Sequence, residues 1–194
     1  MIKLVLFASG SGTNAENIVR FFDKNPDIKV VSICSNKQGA FVLERAKKLG
    51  IPFYIFNRQD FYETDKVLQY LQSLDTDWII LAGFLWLIPT NLLHAYPKRI
   101  INIHPALLPK YGGHGMYGMR VHQAVIDSHD KESGITIHYV NAEYDRGDII
   151  FQSKCQVNTD DRAETLAQKV HQLEYEFFPA IIEKTIMSYQ NLKL

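Results

Sequence analysis

Asn102 and His104 stand two residues apart in "INIHPALLPKYGGHG", residues 101–115, where an apolar run ends at Pro105. In a strand, alternate side chains share a face, so Asn102 and His104 point one way and Ile101 and Ile103 the other. A lone histidine near a strand end is more often a satisfied structural group than a catalyst. An amide donor beside an imidazole that can carry charge changes that balance, because the two can converge on one developing oxyanion. Such a pair suits attack on a carbonyl. No serine or cysteine motif for a covalent intermediate accompanies it, which favours direct transfer between two bound substrates. Two carboxylates in "EYDRGDII", Asp145 and Asp148, could assist, and local sequence does not choose between them; an Asp before Arg-Gly is also ordinary turn composition. A carboxylate near the imidazole would raise its pKa and could take the proton that an attacking nucleophile must lose.

A second stretch, "SGSGTN" at residues 9–14, follows a strand and opens a helix. Backbone N–H groups at a helix start can hold an anion, and glycines let it approach. The plain alternative is a tight strand-to-helix turn. Gly10 to Ala15 fits the weak G-x-G-x-x-[GA] pattern of dinucleotide sites, but the second strand ends in "CSNK", without the acid that binds ribose. The Gly-Lys-Ser/Thr of a nucleoside-triphosphate loop is also missing. A monophosphate fits better than either. Metal binding has little support: the seven histidines form no H-E-x-x-H, and there is no C-x-x-C.

The elements that must position these residues alternate. Strands are expected at Lys3–Ala8, Lys29–Cys34, Phe53–Phe56, Trp78–Ala82 and through Asn102 and His104. Helices are expected at Asn14–Phe22, Phe41–Leu49 (stopped by Gly50 and Pro52), Tyr62–Leu74 and shortly after Pro89. Short connections between strands apolar on both faces predict a doubly wound α/β sheet, mostly parallel and Rossmann-like. Ligands of such sheets bind beyond the carboxyl ends of the strands, where "SGSGTN", "AGFLW" and Asn-x-His all fall, so one shared site is expected. The second half changes style. It should hold a helix over Met119–Ser128, antiparallel strands Ile135–Val140 and Asp148–Val157, and a long C-terminal helix. That helix should start at Asp161, with Glu164 completing a capping box and Leu166, Val170, Leu173 and Phe177 as its apolar stripe.

The 194 residues suit one domain, 1–194, with an α/β half (1–100) and a second half (101–194) that carries Asn102, His104 and Asp145. Hydrophobic residues make up 46% and charged residues 22%, with 21 basic residues balancing 21 acidic ones. That balance argues against a general nucleic-acid or anionic-membrane binder. No apolar run is long enough to span a bilayer, and the start lacks the apolar length of a signal peptide. Two cysteines make no disulfide framework, so reduced thiols in a cytoplasmic protein are expected.

With these residues in hand, the chain resembles the folate-dependent formyltransferases, from Lys3 to about Tyr189. The likeness rests on the set "SGSGTN", "SNK" with "LERAKKLGI", "LAGFLWLI", "NIHPALLPKY", "GITIHYVNAEYDRGDII" and "LEYEFFPAI". It implies that Asn102, His104 and Asp145 are catalytic. It implies an enzyme that moves the formyl group of 10-formyltetrahydrofolate, a co-substrate, to the amino group of glycinamide ribonucleotide in de novo purine synthesis, without a metal. Gly12, Thr13 and Asn14 would hold the nucleotide phosphate, and His171 and Glu174 would meet the same substrate from the long helix. Leu85, Trp86, Leu87 and Ile88, with Asn102 and Asn141, Ala142, Glu143, Tyr144 and Asp145, would enclose the pterin. Arg58 would meet the folate's glutamate carboxylate. Two features depart from the family: Trp86 stands where a basic residue is common, and "GGHGMYGMRVH" is longer than the usual Gly-rich loop. His114 and His122 receive no role, and oligomeric state stays open.

Rival readings remain within reach of the sequence. A formyltetrahydrofolate hydrolase or the methionyl-tRNA formyltransferase would share Asn-x-His, but those carry an extra N-terminal and C-terminal domain respectively, which are not expected here. A non-catalytic nucleotide-binding module would use "SGSGTN" alone and leave Asn102, His104 and Asp145 unexplained.

Overall fold

The computed structural model describes residues 1–191; positions 192–194 of the expected 1–194 domain lie outside the described residues. Its contacts divide the chain into two compact units, Met1–Asn102 and a second that begins at Ile103.

The first unit alternates strand and helix: β1 (Ile2–Phe7), α1 (Thr13–Phe22), β2 (Ile28–Ser35), α2 (Phe41–Leu49), β3 (Phe53–Ile55), α3 (Arg58–Tyr62), α4 (Lys66–Ser73), β4 (Trp78–Leu81), α5 (Thr90–Ala95) and β5 (Ile100–His104). β5 crosses into the second unit with its last two residues. The strands are parallel and ordered β3-β2-β1-β4-β5. Strand order therefore reverses between β1 and β4, and a crevice opens beyond the carboxyl ends at such a point. β1 and β4 are the strands buried on both faces: Leu4, Val5, Leu6, Phe7, Ile79 and Ile80 have no exposed surface. Full burial of a side chain of this size stabilises by roughly 1.5–3 kcal/mol, so these two strands anchor the loops that leave their ends.

The expected helix over Tyr62–Leu74 is two helices, α3 and α4. Asn57 starts the first by accepting a hydrogen bond from the Asp60 N–H at 2.8 Å. Thr64 then donates to the Asp60 carbonyl at 3.1 Å and accepts from the Lys66 N–H at 3.3 Å, which turns the chain before α4. Side-chain bonds of this kind compete with the helical ladder, and apolar spacing does not register them.

The second unit holds α6 (Met119–Asp127), the antiparallel pair β6 (Glu132–Tyr139) and β7 (Ile149–Gln156), and α7 (Ala163–Asn191). α7 starts two residues later than expected. Thr165, not Glu164, supplies the reciprocal bond, accepting from the Arg162 N–H at 2.9 Å, while Asp161 accepts from the Asn158 N–H at 2.7 Å and pairs with Lys169. Leu166 and Val170 are buried as expected, but Leu173 and Phe177 are only half-buried; the buried stripe continues through Glu174, Phe178 and Ile182.

Candidate active site

β5 ends in His104, and the loop that follows folds back to hold the ring. The His104 Nε2–H donates to the Tyr111 carbonyl at 2.7 Å, and Nδ1 lies 3.5 Å from Asp145 Oδ2. Asp145 sits in the β6–β7 turn in left-handed backbone (φ 56), a conformation that Asp tolerates better than most residues. Its Oδ2 accepts from the Gly113 N–H at 2.9 Å, and its Oδ1 lies 3.6 Å from His138 Nε2. His138 in turn donates Nδ1–H to the Tyr139 carbonyl at 2.8 Å. One carboxylate thus stands between two buried imidazoles, with His104 4% and His138 2% exposed. Of the two carboxylates that the sequence left open, the structure brings Asp145 to His104; Asp148 is exposed. Asn102, half-buried, lies two residues before His104 on the same strand, opposite Leu81 of β4.

The electrostatics correct one expectation. Asp145 does favour the charged imidazole, but burial outweighs it, and the His104 pKa falls below its ordinary value; the Tyr111 carbonyl adds to the upward pull without reversing it. Burial alone would raise the Asp145 pKa. The bond from His138, the charge of His104 and the Gly113 N–H together hold that carboxyl below its ordinary range. Asp145 is therefore a carboxylate at neutral pH, ready to accept a proton. Burial holds His104 toward its neutral form even beside that carboxylate.

The expected phosphate turn lies at the end of β1. Gly12 is the N-cap of α1, left-handed at φ 74, and no side chain caps the helix. Its Cβ position would fall 2.3 Å from Val42 Cγ2 and 2.8 Å from Val42 Cα. Glycine is thus required here by the packing of α2 as well as by the turn. Arg45, which the sequence did not single out, donates from Nε to the Ser11 carbonyl at 2.8 Å and pairs with Glu16. Thr13 and Asn14 open α1, half-buried. The neighbouring strand end is tied to this turn: the Ser9 N–H donates to the Gly83 carbonyl at 3.0 Å, and the Leu85 N–H donates to Ser9 Oγ at 3.1 Å.

Leu85, Trp86, Leu87 and Ile88 follow β4. Trp86 packs against Phe56, Phe61, Tyr62 and Phe84, with ring centroids 5.8–6.3 Å away. Its ring is thus held in an aromatic cluster. Arg58 stands at the first turn of α3 with its guanidinium 5.1 Å from the Tyr62 ring centroid, and the Tyr62 hydroxyl donates to the Leu87 carbonyl at 2.9 Å. In the second unit, Asn141, Ala142 and Glu143 form an exposed Asx turn, closed by the Glu143 N–H donating to Asn141 Oδ1 at 2.9 Å, and Tyr144 meets the His114 ring at 5.7 Å.

On α7, His171 and Glu174 form an ion pair at 2.8 Å, which raises the His171 pKa. Glu174 is 4% exposed. His122, on α6, faces His171 at 6.4 Å between ring centroids. It is 2% exposed, its Nδ1 has no hydrogen-bond partner, and burial followed by the nearby His171 takes its pKa down to about 4. Among the described residues, no group of three or more His, Cys, Asp or Glu side chains could hold a metal ion. No helix among them is long and apolar enough to cross a membrane.

Sequence reasoning missed His138, Tyr111 and Gly113. His138 follows Thr136 in the polar slots that alternate with Ile135 and Ile137, so alternation did not mark it; the other two act through main-chain groups, which residue type does not reveal.

Residues 2–182 match the family model described as formyl transferase. The chain is 41% identical over 194 residues to the chloroplastic phosphoribosylglycinamide formyltransferase of Arabidopsis thaliana, covering 95% of this chain and 66% of that protein. It therefore spans about two thirds of the length of that plant relative. It is 35% identical over 191 residues to phosphoribosylglycinamide formyltransferase of Bacillus subtilis, covering 96% of this chain and 95% of that one. The crystal structure of phosphoribosylglycinamide formyltransferase from Bacillus halodurans superposes with a TM-score of 0.86 at 35% identity, covering 98% of both chains.

Proposed function

The chain belongs to the formyl transferase family, and from that premise we propose that it transfers the formyl group of 10-formyltetrahydrofolate to the amino group of glycinamide ribonucleotide, a step of de novo purine biosynthesis. The observation that carries the catalytic reading is the buried His104–Asp145 pair at the end of the strand that also carries Asn102.

The amine nitrogen attacks the formyl carbon, which builds negative charge on the formyl oxygen and positive charge on nitrogen. Asn102 donates a hydrogen bond to that oxygen at any pH. Asp145, a carboxylate at neutral pH, takes the amine proton directly or through a water. His104, neutral in its buried setting, is stabilised as imidazolium by the oxyanion when that proton passes from Asp145 to its Nδ1. Collapse of the intermediate breaks the bond from the formyl carbon to folate N10, which leaves with the proton the amine gave up. Gly12, Thr13 and Asn14, at the start of α1, bind the nucleotide phosphate, and His171 and Glu174 bind the same substrate. Arg58, residues 85–88 and residues 141–145 bind the folate. We read residues 1–194 as one formyltransferase domain and its location as cytoplasmic, with small molecules rather than nucleic acid as its partners.

The test is folate consumption by purified protein with and without glycinamide ribonucleotide. Consumption that depends on the nucleotide supports transfer. Consumption at a comparable rate without it makes the protein a hydrolase, and binding without consumption makes it a nucleotide-binding module.

A further inference from the structure

The loop after His104 grips both members of the catalytic pair through its main chain. The Tyr111 carbonyl takes the His104 Nε2–H at 2.7 Å, and the Gly113 N–H meets Asp145 Oδ2 at 2.9 Å. Between them, Gly112 leaves no room for a side chain: a Cβ would fall 2.5 Å from Leu108 Cδ2 and 3.2 Å from Asp145 Cβ. Tyr111 itself is left-handed, at φ 56. A bulky residue holds such a conformation only where its surroundings over-determine it. Here the second anchor is the side chain. The Tyr111 hydroxyl donates to Asp130 Oδ2 at 2.9 Å, and Lys110 Nζ pairs with the same oxygen at 2.9 Å.

We propose that Tyr111, tethered through its hydroxyl to Asp130, is a positioning residue that fixes the tautomer and orientation of His104. The proposal rests on the transferase reading for its kinetic consequence but not for its structural one. A neutral imidazole carries one proton. Asp145, 3.5 Å from Nδ1, draws that proton to Nδ1; the Tyr111 carbonyl, closer to Nε2, draws it to Nε2. His138 and Glu174 also act on the His104 charge, but neither offers the ring an acceptor at the Nε2 edge that Tyr111 holds. The tether keeps the carbonyl in place and so decides the contest. Nδ1 then stays open toward Asp145, as proton relay between ring and carboxylate requires.

The experiment is 15N NMR of the imidazole of His104 above its pKa, with steady-state kinetics on the same samples. Wild type should show the Nε2–H tautomer. Tyr111→Phe and Asp130→Ala should shift population toward Nδ1–H and lower kcat about 10-fold, with both KM values within about 2-fold of wild type. Asp130→Asn keeps an oxygen that accepts from the phenol and should restore the wild-type tautomer. The double variant Tyr111→Phe/Asp130→Ala should be no worse than either single variant. An unchanged tautomer in Tyr111→Phe overturns the proposal, as does Asp130→Asn behaving like Asp130→Ala. If tautomers shift as expected but the protein transfers no formyl group, the transferase reading fails and the positioning role stands.

Discussion

Asp145 holds its proton-accepting state because three groups, His138, His104 and the Gly113 N–H, oppose the effect of its burial. Asp145→Asn removes the acceptor while keeping the volume. Turnover should fall by roughly 10²–10⁴, the range general base catalysis contributes, with both substrates still binding. The sign for His104 is set by the carboxylate: Asp145 raises the imidazole pKa against burial, so the variant should lower it further. NMR titration reads this, and equal pKa values in the two proteins would uncouple the pair. Thr13→Ala tests the nucleotide end and should raise its KM about 10-fold while sparing that of the folate, since a phosphate contact touches only one substrate. Gly12→Val, the more obvious probe, would drive a side chain into Val42 and so report on the turn itself. Arg58→Ala should do the reverse of Thr13→Ala, raising the folate KM alone; an unchanged value would leave Arg58 as a surface partner of Tyr62.

At the scale of elements, the helices α6 and α7 hold a buried histidine for which burial and His171 outweigh the pull of Glu174 toward the charged form. His122 has a folded pKa of about 4 against an ordinary value of 6.5. A depressed folded value means that its contribution to stability is full above 6.5 and is lost as pH falls toward 4. At about 1.36 kcal/mol per unit, wild type should lose roughly 2–3 kcal/mol from this residue between pH 7.5 and pH 4.5. His122→Leu should remove that loss, and urea unfolding at the two pH values measures it. Equal losses in both proteins would show that His122 titrates freely. The strands except β6 and most helices were legible within a residue or two, because the β1 and β4 runs are apolar on both faces and Gly50 stops α2 in left-handed backbone; β6 starts at Glu132, three residues before the expected Ile135. The α3–α4 break was not, since Asn57 and Thr64 make it with single side-chain bonds. Asn102 and His104 were legible as a pair from strand alternation. That Asp145 rather than Asp148 meets His104 required the β6–β7 turn, and no spacing rule gives its path. The outcome for His104 depended on how deeply the ring is buried, which sequence does not state.

For the whole molecule, the formal net charge is zero, and the described residues hold no cluster of three metal-ligating side chains. Turnover should survive exhaustive chelation, and loss restored by one added metal would contradict that. The central claim is the destination of the formyl group. The direct measurement is 13C NMR of a reaction containing [13C]formyl-10-formyltetrahydrofolate, glycinamide ribonucleotide and the purified protein. The label should move to a formamide on the nucleotide product, with formate at the level of the enzyme-free control. Label that appears as formate at the enzymatic rate, with none on the nucleotide, would contradict it.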